Sequence, residues 1–443
     1  MRADTIFAPA SGVGRAGIAV IRVSGPHAGG ALVRVSGRAL PTARRAIRVR
    51  IVTADGEAID EGVALWFPGP GSFTGEDVVE LHVHGGRAVT DGVLGVLAGC
   101  EGLRPAEPGE FTRRAFENGK LDLTAAEGLA DLIAAETEGQ RRQALRQLQG
   151  ELGRLYEGWR QRLLRILAHV EAAIDFGDED LPEGLEVRAC EETARLRCEI
   201  EAHLDDGRRG ERLRDGIEVA IVGPPNAGKS SLFNLLAGRS AAIVSDRPGT
   251  TRDVIEVTLD LGGYPVVMAD TAGLRDDGEE VEQEGVRRAR MRMRECDVIL
   301  VVFDGALWPA WDQATAAVID ERAVVVVNKA DLGRVAAAPT FAGRAALLVS
   351  ARSGTGIEAM VAELRNRVVA RVEDAGSPPL TRLRHRRALE ECRDALARAA
   401  TANGLEWGAE DLRLAARALG RITGRVDVED VLDVIFRDFC IGK

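Results

Sequence analysis

The richest chemistry in the chain lies in Gly223-x-x-x-x-Gly228-Lys229-Ser230, a phosphate-binding loop pattern. Glycines permit the tight turn, and successive backbone N–H groups converge on anionic oxygens. Lys229 reaches the outer phosphates, and the Ser230 hydroxyl is suited to Mg²⁺. The apolar run Ile217–Gly223 before it reads as a buried strand, and Leu232–Ala237 after it as an apolar helix. Asn226, Ala227, Gly228 and Ser231 complete the candidate nucleotide-binding residues of this loop.

Four further motifs fall at the required places. Asp270-Thr271-Ala272-Gly273 closes a strand, with a carboxylate for the Mg²⁺ shell and a glycine N–H for the γ-phosphate. Asn328-Lys329-Ala330-Asp331 ends another strand. The Asp331 carboxylate accepts both N1–H and N2–H of guanine, a donor pair that adenine does not offer, so the base is read as guanine. Ser350, Ala351 and Arg352 follow the last strand, beside the base. Ser245, Asp246, Arg247, Pro248, Gly249, Thr250 and Thr251 lie between loop and second strand, where a threonine completes Mg²⁺ coordination. Together these motifs predict GTP binding. Leu274 stands where small signalling GTPases carry a water-orienting Gln, so another group must position the water. Arg275 is read either as an arginine finger or as a surface arginine.

These residues need elements to hold them. Strands are expected at Ile217–Gly223, Val254–Leu261, Pro265–Asp270, Val298–Phe303, Ala323–Val327 and Ala346–Val349, with helices between most of them. That alternation predicts a doubly wound α/β sheet with ligand at the C-terminal strand ends. Residues 1–118 read as mixed α/β, with strands at Ile18–Val23, Val63–Phe67 and Asp77–His84. From Leu121 the period changes to three and four residues, predicting helices to about residue 174, and a second charged helical stretch runs to about Gly210. The expected domains are 1–118, 119–215, 216–370 and 371–443, with the α/β domain inserted into one helical domain built from both flanks.

Length and composition bound the class. At 443 residues, with 45% hydrophobic and 29% charged, the chain is expected to be globular and to hold more than one domain. No apolar run reaches the length of a membrane span and MRADTIFAPASG lacks a signal-peptide core, so a cytoplasmic location is expected. The six cysteines are scattered without a C-x-x-C pair, which argues against a zinc site or disulfide framework. A net charge of −11 argues against broad, non-specific nucleic-acid binding but leaves room for a local basic face. Arg141, Arg142 and Arg146, or Arg382, Arg384, His385, Arg386 and Arg387, read as such a face or as a solvated helix surface. His82 and His84, two apart on one strand face, read as metal ligands or as ordinary strand histidines, and no third ligand is evident. The acidic knot Asp175, Asp178, Glu179 and Asp180 reads as a solvated loop or a divalent-cation site.

The motifs GVGRAGIAVIRVSG, EDVVELHVHGG, PGEFTRRAFENGKLDL, GPPNAGKSS, DRPGTTRD, DTAGLR, VEQEGVRRAR, NKAD and CIGK together resemble the MnmE (TrmE) family of bacterial tRNA-modification GTPases, over the whole chain. The resemblance implies an N-terminal tetrahydrofolate-binding and homodimerising domain in which Arg22, Glu80, Lys120 and Lys443 hold 5-formyltetrahydrofolate or a related folate. It implies a K⁺ ion coordinated by Asn226, Ser245, Arg247 and Thr250 in place of an arginine finger, completed when two G domains meet. It further implies that Glu282 orients the attacking water and that Ser230 and Thr251 carry Mg²⁺. Family members work with an FAD- and NADH-using partner, MnmG, in a heterotetramer or larger complex. They install aminomethyl or carboxymethylaminomethyl groups at C5 of the wobble uridine of tRNA. Cys440 lies where a thiol reaches the folate, as covalent catalyst or as inert residue. The competing expectation is a ribosome-assembly GTPase, an RNA-binding switch without one-carbon chemistry.

Overall fold

The N-terminal third is built on alternating strands. The computed structural model describes residues 4–12, 14–175, 185–239, 242–243, 256–270, 296–372, 378–402, 405–426, 429–437, 439 and 442. Strands β1 (Thr5–Pro9), β2 (Ala16–Ser24), β3 (Ile47–Val52), β4 (Ala58–Phe67), β5 (Val78–Gly85) and β6 (Leu103–Pro105) form one sheet in the order β3-β4-β5-β2-β1-β6. Pairing is antiparallel except for β1 with β6. One face carries Ile21, Val23, Val49, Ile51, Ala64, Val79, Leu81 and Val83, all buried, against helices Ala28–Ser36 and Arg87–Ala98. The other face carries the polar alternates, Arg22, Glu80, His82 and His84 among them, which is the division expected of a half-buried antiparallel sheet.

A buried ion network pins this sheet to helix Glu110–Glu117. The Arg114 guanidinium, 1% exposed, donates to Glu110 at 3.0 Å, Asp4 at 3.2 Å and Glu76 at 3.2 Å. Arg104 donates to Glu110 at 2.6 and 2.8 Å and to Asp4 at 2.7 Å. Burial alone pushes the Glu110 carboxyl up; the Arg104 hydrogen bond, the Glu107 N–H and Arg114 outweigh it and hold the group down to about 2. Buried charges persist only when paired in this way.

The chain divides into two compact units: residues 1–130, 147–167 and 412–443 in one, 131–146 and 168–411 in the other. In the first, helix Glu429–Arg437 packs on helix Leu123–Ala134 through Leu123, Ala126, Leu432, Phe436 and Phe439. Gly109, at φ +68°, lets this layer close: a Cβ there would stand 2.6 Å from the Phe436 carbonyl oxygen. Gly442 is buried at φ +99°, and a Cβ there would collide with the Pro9 carbonyl, so residue 442 lies against the end of β1.

The second unit holds β7 (Ile217–Val222), β8 (Ala242–Ile243), β9 (Glu256–Asp260), β10 (Pro265–Asp270), β11 (Val298–Asp304), β12 (Ala323–Asn328), β13 (Thr340–Phe341), β14 (Arg344–Ala345) and β15 (Leu347–Leu348). Its main sheet runs β15-β12-β11-β7-β10-β9-β8, with β10, β7, β11, β12 and β15 parallel. Strands β11 and β12 are buried at every position, as VILVVFD and AVVVVN require of central parallel strands covered on both faces. Ile217, Val219, Ile221, Leu300 and Val326 face helices Lys229–Arg239 and Ile357–Val372. Ala220, Val301, Phe303, Val325 and Val327 face the other side, toward Trp308, Trp311 and Phe341. The doubly wound α/β expectation is met, and the first helix is longer than Leu232–Ala237. Helices Leu185–Leu204 and Leu383–Thr401 pack together beside it. Buried Arg386 locks them, donating to Asp206 at 2.7 Å, Glu211 at 3.0 Å and the Leu204 carbonyl at 2.8 Å.

Candidate nucleotide site and family

Parallel register brings the motifs level. Ile221 pairs with Asp270, Val301 with Val222 and Asp304 with Asn328, so the C-terminal ends of β10, β7, β11 and β12 lie in one row. Ligands bind at this edge of a doubly wound sheet. The loop 223–228 leaves β7 there and enters helix Lys229–Arg239, whose first N–H groups have no intrahelical acceptor.

The turn depends on backbone that few residues tolerate. Asn226 is left-handed at φ 64°, and Gly228 has φ 90°. A Cβ at Gly228 would collide with Nδ2 of Asn328, and one at Gly223 with the Val302 carbonyl. Lys229 Nζ donates to the carbonyls of Gly223 at 2.8 Å and Pro224 at 3.0 Å, which holds the ammonium across the loop. Asn226, Ser230 and Ser231 are exposed.

The base-reading motif is joined to this loop directly. Asn328, 2% exposed, donates through Nδ2 to the Ala227 carbonyl at 2.8 Å and accepts from the Ala351 N–H at 3.1 Å. Lys329 is left-handed at φ 65° and donates to Asp304 at 2.6 Å. Asp331 is exposed, and one carboxylate oxygen accepts from the buried Ser350 hydroxyl at 2.7 Å, which fixes its rotation. Arg352 is exposed on the same turn. Residues 223–228, 328–331 and 350–352 are thus brought together. Asp304 escaped the sequence reading: a single acid closing an apolar strand carries no motif.

Asp270 ends β10 at the expected row. Ser245, Asp246, Arg247, Pro248, Gly249, Thr250, Thr251, Thr271, Ala272, Gly273, Leu274, Arg275 and Glu282 lie outside the described residues, as do Cys440 and Lys443.

In the N-terminal unit, Arg22 and Glu80 face one another across β2 and β5, and Arg22 donates to Glu80 at 3.0 and 3.2 Å. The guanidinium carbon lies 5.4 Å from the Phe73 ring centre and 5.8 Å from that of Phe111. Lys120 donates instead to the Pro70 carbonyl at 2.9 Å. The loop between β4 and β5 therefore neighbours both: Phe73 meets Arg22, and Pro70 meets Lys120.

His84 Nδ1 lies 2.8 Å from Asp60 and His82 Nε2 3.6 Å from Glu80; no group of three metal-binding side chains occurs among the described residues. Arg382 donates to Asp131 at 2.6 Å, and His385 is fully buried, so with Arg386 these residues form an internal support rather than a basic face. Arg141, Arg142, Arg146 and Arg387 are exposed, the first two against Glu138. Asp175 ends its helix, and 178–180 lie outside the described residues. Burial pushes the thiols of Cys296 and Cys392 up to about 11 and about 12. Among the described residues, no helix is long and apolar enough to cross a membrane.

Two family models match the chain: the GTP-binding protein TrmE N-terminus over residues 5–120 and the MnmE helical domain over residues 123–440. A relative from Paramagnetospirillum magneticum, named tRNA modification GTPase MnmE, is 59% identical over 99% of this chain and 100% of its own length. One of the same name from Rhodospirillum rubrum is 57% identical over 100% of both. A human mitochondrial relative, named 5-taurinomethyluridine-[tRNA] synthase subunit GTPB3, is 50% identical over 99% of this chain and 93% of its own. With an N-terminal TrmE domain, an MnmE helical domain and a P-loop α/β sheet carrying the guanine-reading motif, the chain belongs to the MnmE (TrmE) family.

Proposed function

We propose that this chain is a GTPase acting in tRNA modification. The observation that carries the reading is the Asn328 side chain joining the phosphate loop to the base-reading loop, beside an Asp331 oriented for guanine. In the proposed reaction Lys229 meets the outer phosphates, Asp331 reads the base and Glu282 orients the attacking water. The exposed Ser230 hydroxyl, with Thr251, suits Mg²⁺; exposed Asn226, with Ser245, Arg247 and Thr250, suits K⁺. When bound, these cations supply positive charge against that developing on the transferred phosphoryl group.

The finer assignment follows the family. Arg22, Glu80, Lys120 and Lys443 hold a folate, whose chemistry is one-carbon supply. The paired Arg22 and Glu80 offer a cation for its carboxylates and an acceptor for ring donors. Buried Gly442 lies against the end of β1 in that sheet. The chain acts as a homodimer with an MnmG-like FAD protein, in the cytoplasm. It adds aminomethyl or carboxymethylaminomethyl groups at C5 of uridine 34, with Cys440 either a covalent catalyst or an inert thiol. Its domains are 1–118, 119–215, 216–370 and 371–443.

The test is nucleoside analysis of tRNA from cells lacking the chain, complemented with wild type or Asp331→Asn. Wobble uridines without their C5 group, restored by wild type alone, support the reading. Intact wobble uridines with immature ribosomal RNA would move the assignment to ribosome assembly.

A further inference from the structure

We propose that Asp304 is a positioning residue for guanine-nucleotide binding, acting through Lys329; this rests on the GTP-binding reading above. Asp304 closes β11 directly beside Asn328 on β12, with its side chain 8% exposed. Both carboxylate oxygens are used. Oδ2 accepts from Lys329 Nζ at 2.6 Å, and Oδ1 accepts from the Ala306 N–H at 2.8 Å. The Ala306 carbonyl in turn accepts from Arg334 at 2.8 Å, so the turn after β11 is fixed from both sides.

Lys329 stands between two working residues. Asn328 before it grips the phosphate loop at Ala227, and Asp331 two positions on reads the base. The left-handed backbone at Lys329 turns its side chain away from both and toward β11. A lysine stem held at its head becomes a fixed apolar wall, whereas a free one carries the rotamer freedom of four rotatable bonds. Holding the ammonium on Asp304 also keeps it off the Asp331 carboxylate, which must stay available to the donors of guanine. A carboxylate this buried must be paired, so Asp304 and Lys329 hold one another.

The test uses the full chain and a fluorescent GDP analogue, with GTP hydrolysis measured alongside. For Asp304→Ala, Kd and KM rise about tenfold while kcat stays within about twofold, since ground-state and transition-state binding fall together. Asp304→Asn, which keeps the shape and the Ala306 contact, falls between. In a Lys329→Ala background, Asp304→Ala adds less than about twofold, the non-additivity of two residues in one interaction. Additive losses would place Asp304 in the turn alone and overturn the proposal, as would unchanged Kd and KM. A fall in kcat with unchanged KM reports lost folded protein and also overturns it. If the wild-type chain binds no guanine nucleotide, the GTPase reading itself falls.

Discussion

Asn328 Nδ2 lies 2.8 Å from the carbonyl oxygen of Ala227, 101 positions earlier in the chain. One side chain therefore sets the distance between the loop proposed to take phosphates and the loop proposed to take the base. The same amide accepts from Ala351, so three strand ends share one anchor.

Asn328→Ala leaves the Ala227 carbonyl and Ala351 N–H without these partners. Buried groups so left cost about 1–3 kcal/mol. Guanine nucleotide affinity should fall about tenfold to hundredfold, measured by equilibrium titration, while the N-terminal sheet unfolds as in wild type. Unchanged affinity would mean that the two loops are aligned without this contact.

Asp331→Asn exchanges an acceptor for a group that also donates. GTP binding should weaken by about a hundredfold or more, since a site built for paired donors rejects a mismatched edge strongly. Xanthine nucleotides, with a carbonyl where guanine has its amino group, should bind the variant better than GTP. Competition binding with both nucleotides decides it, and an unchanged preference for GTP would place the base elsewhere.

The structure also predicts a pH response in the helices beside the main sheet. Burial first, with help from Arg386 and His385 and against Asp206, lowers the His203 imidazole to about 4 from its usual 6.5. The folded state holds it neutral. Its contribution is therefore complete above pH 6.5 and is lost as pH falls toward 4. Hydrogen exchange in Leu185–Leu204 and Leu383–Thr401 should quicken across that window, and His203→Gln should flatten the response. Glu110 loses its contribution between its ordinary 4.5 and about 2, so it overlaps only the foot of this window.

Gly442→Ala should disturb the N-terminal unit without touching the nucleotide site. Its added Cβ has no room against Pro9, and its φ of 99° is strained for alanine. Folate binding, followed by calorimetry, should weaken at least about tenfold, as expected of a misplaced anchoring group, while GTP turnover stays within about twofold. Equal folate affinity would remove the tail from that site.

Legibility followed the locality of the cause. Strands β7, β10, β11 and β12 are continuous apolar runs, three of them leading into motif residues, and their boundaries fall within a residue or so of expectation. Strand β6, three residues long, exists because β1 offers it an edge about a hundred positions away, and nothing local announces it. The same holds for Arg114, whose partners lie 38 and 110 positions off. PGEFTRRAF is legible as a family motif, but its role as the clamp of the sheet needs the fold. Asp304 was hidden for the same reason: only strand register shows that it meets Lys329.

The most direct test of the whole account is the GTP hydrolysis rate of the purified chain in matched KCl and NaCl, repeated with Asn226→Ala. The account predicts strong stimulation by K⁺ that disappears in the variant, because the exposed Asn226 side chain is one of the groups assigned to the ion. Equal rates in both salts, or stimulation that survives the substitution, would contradict it.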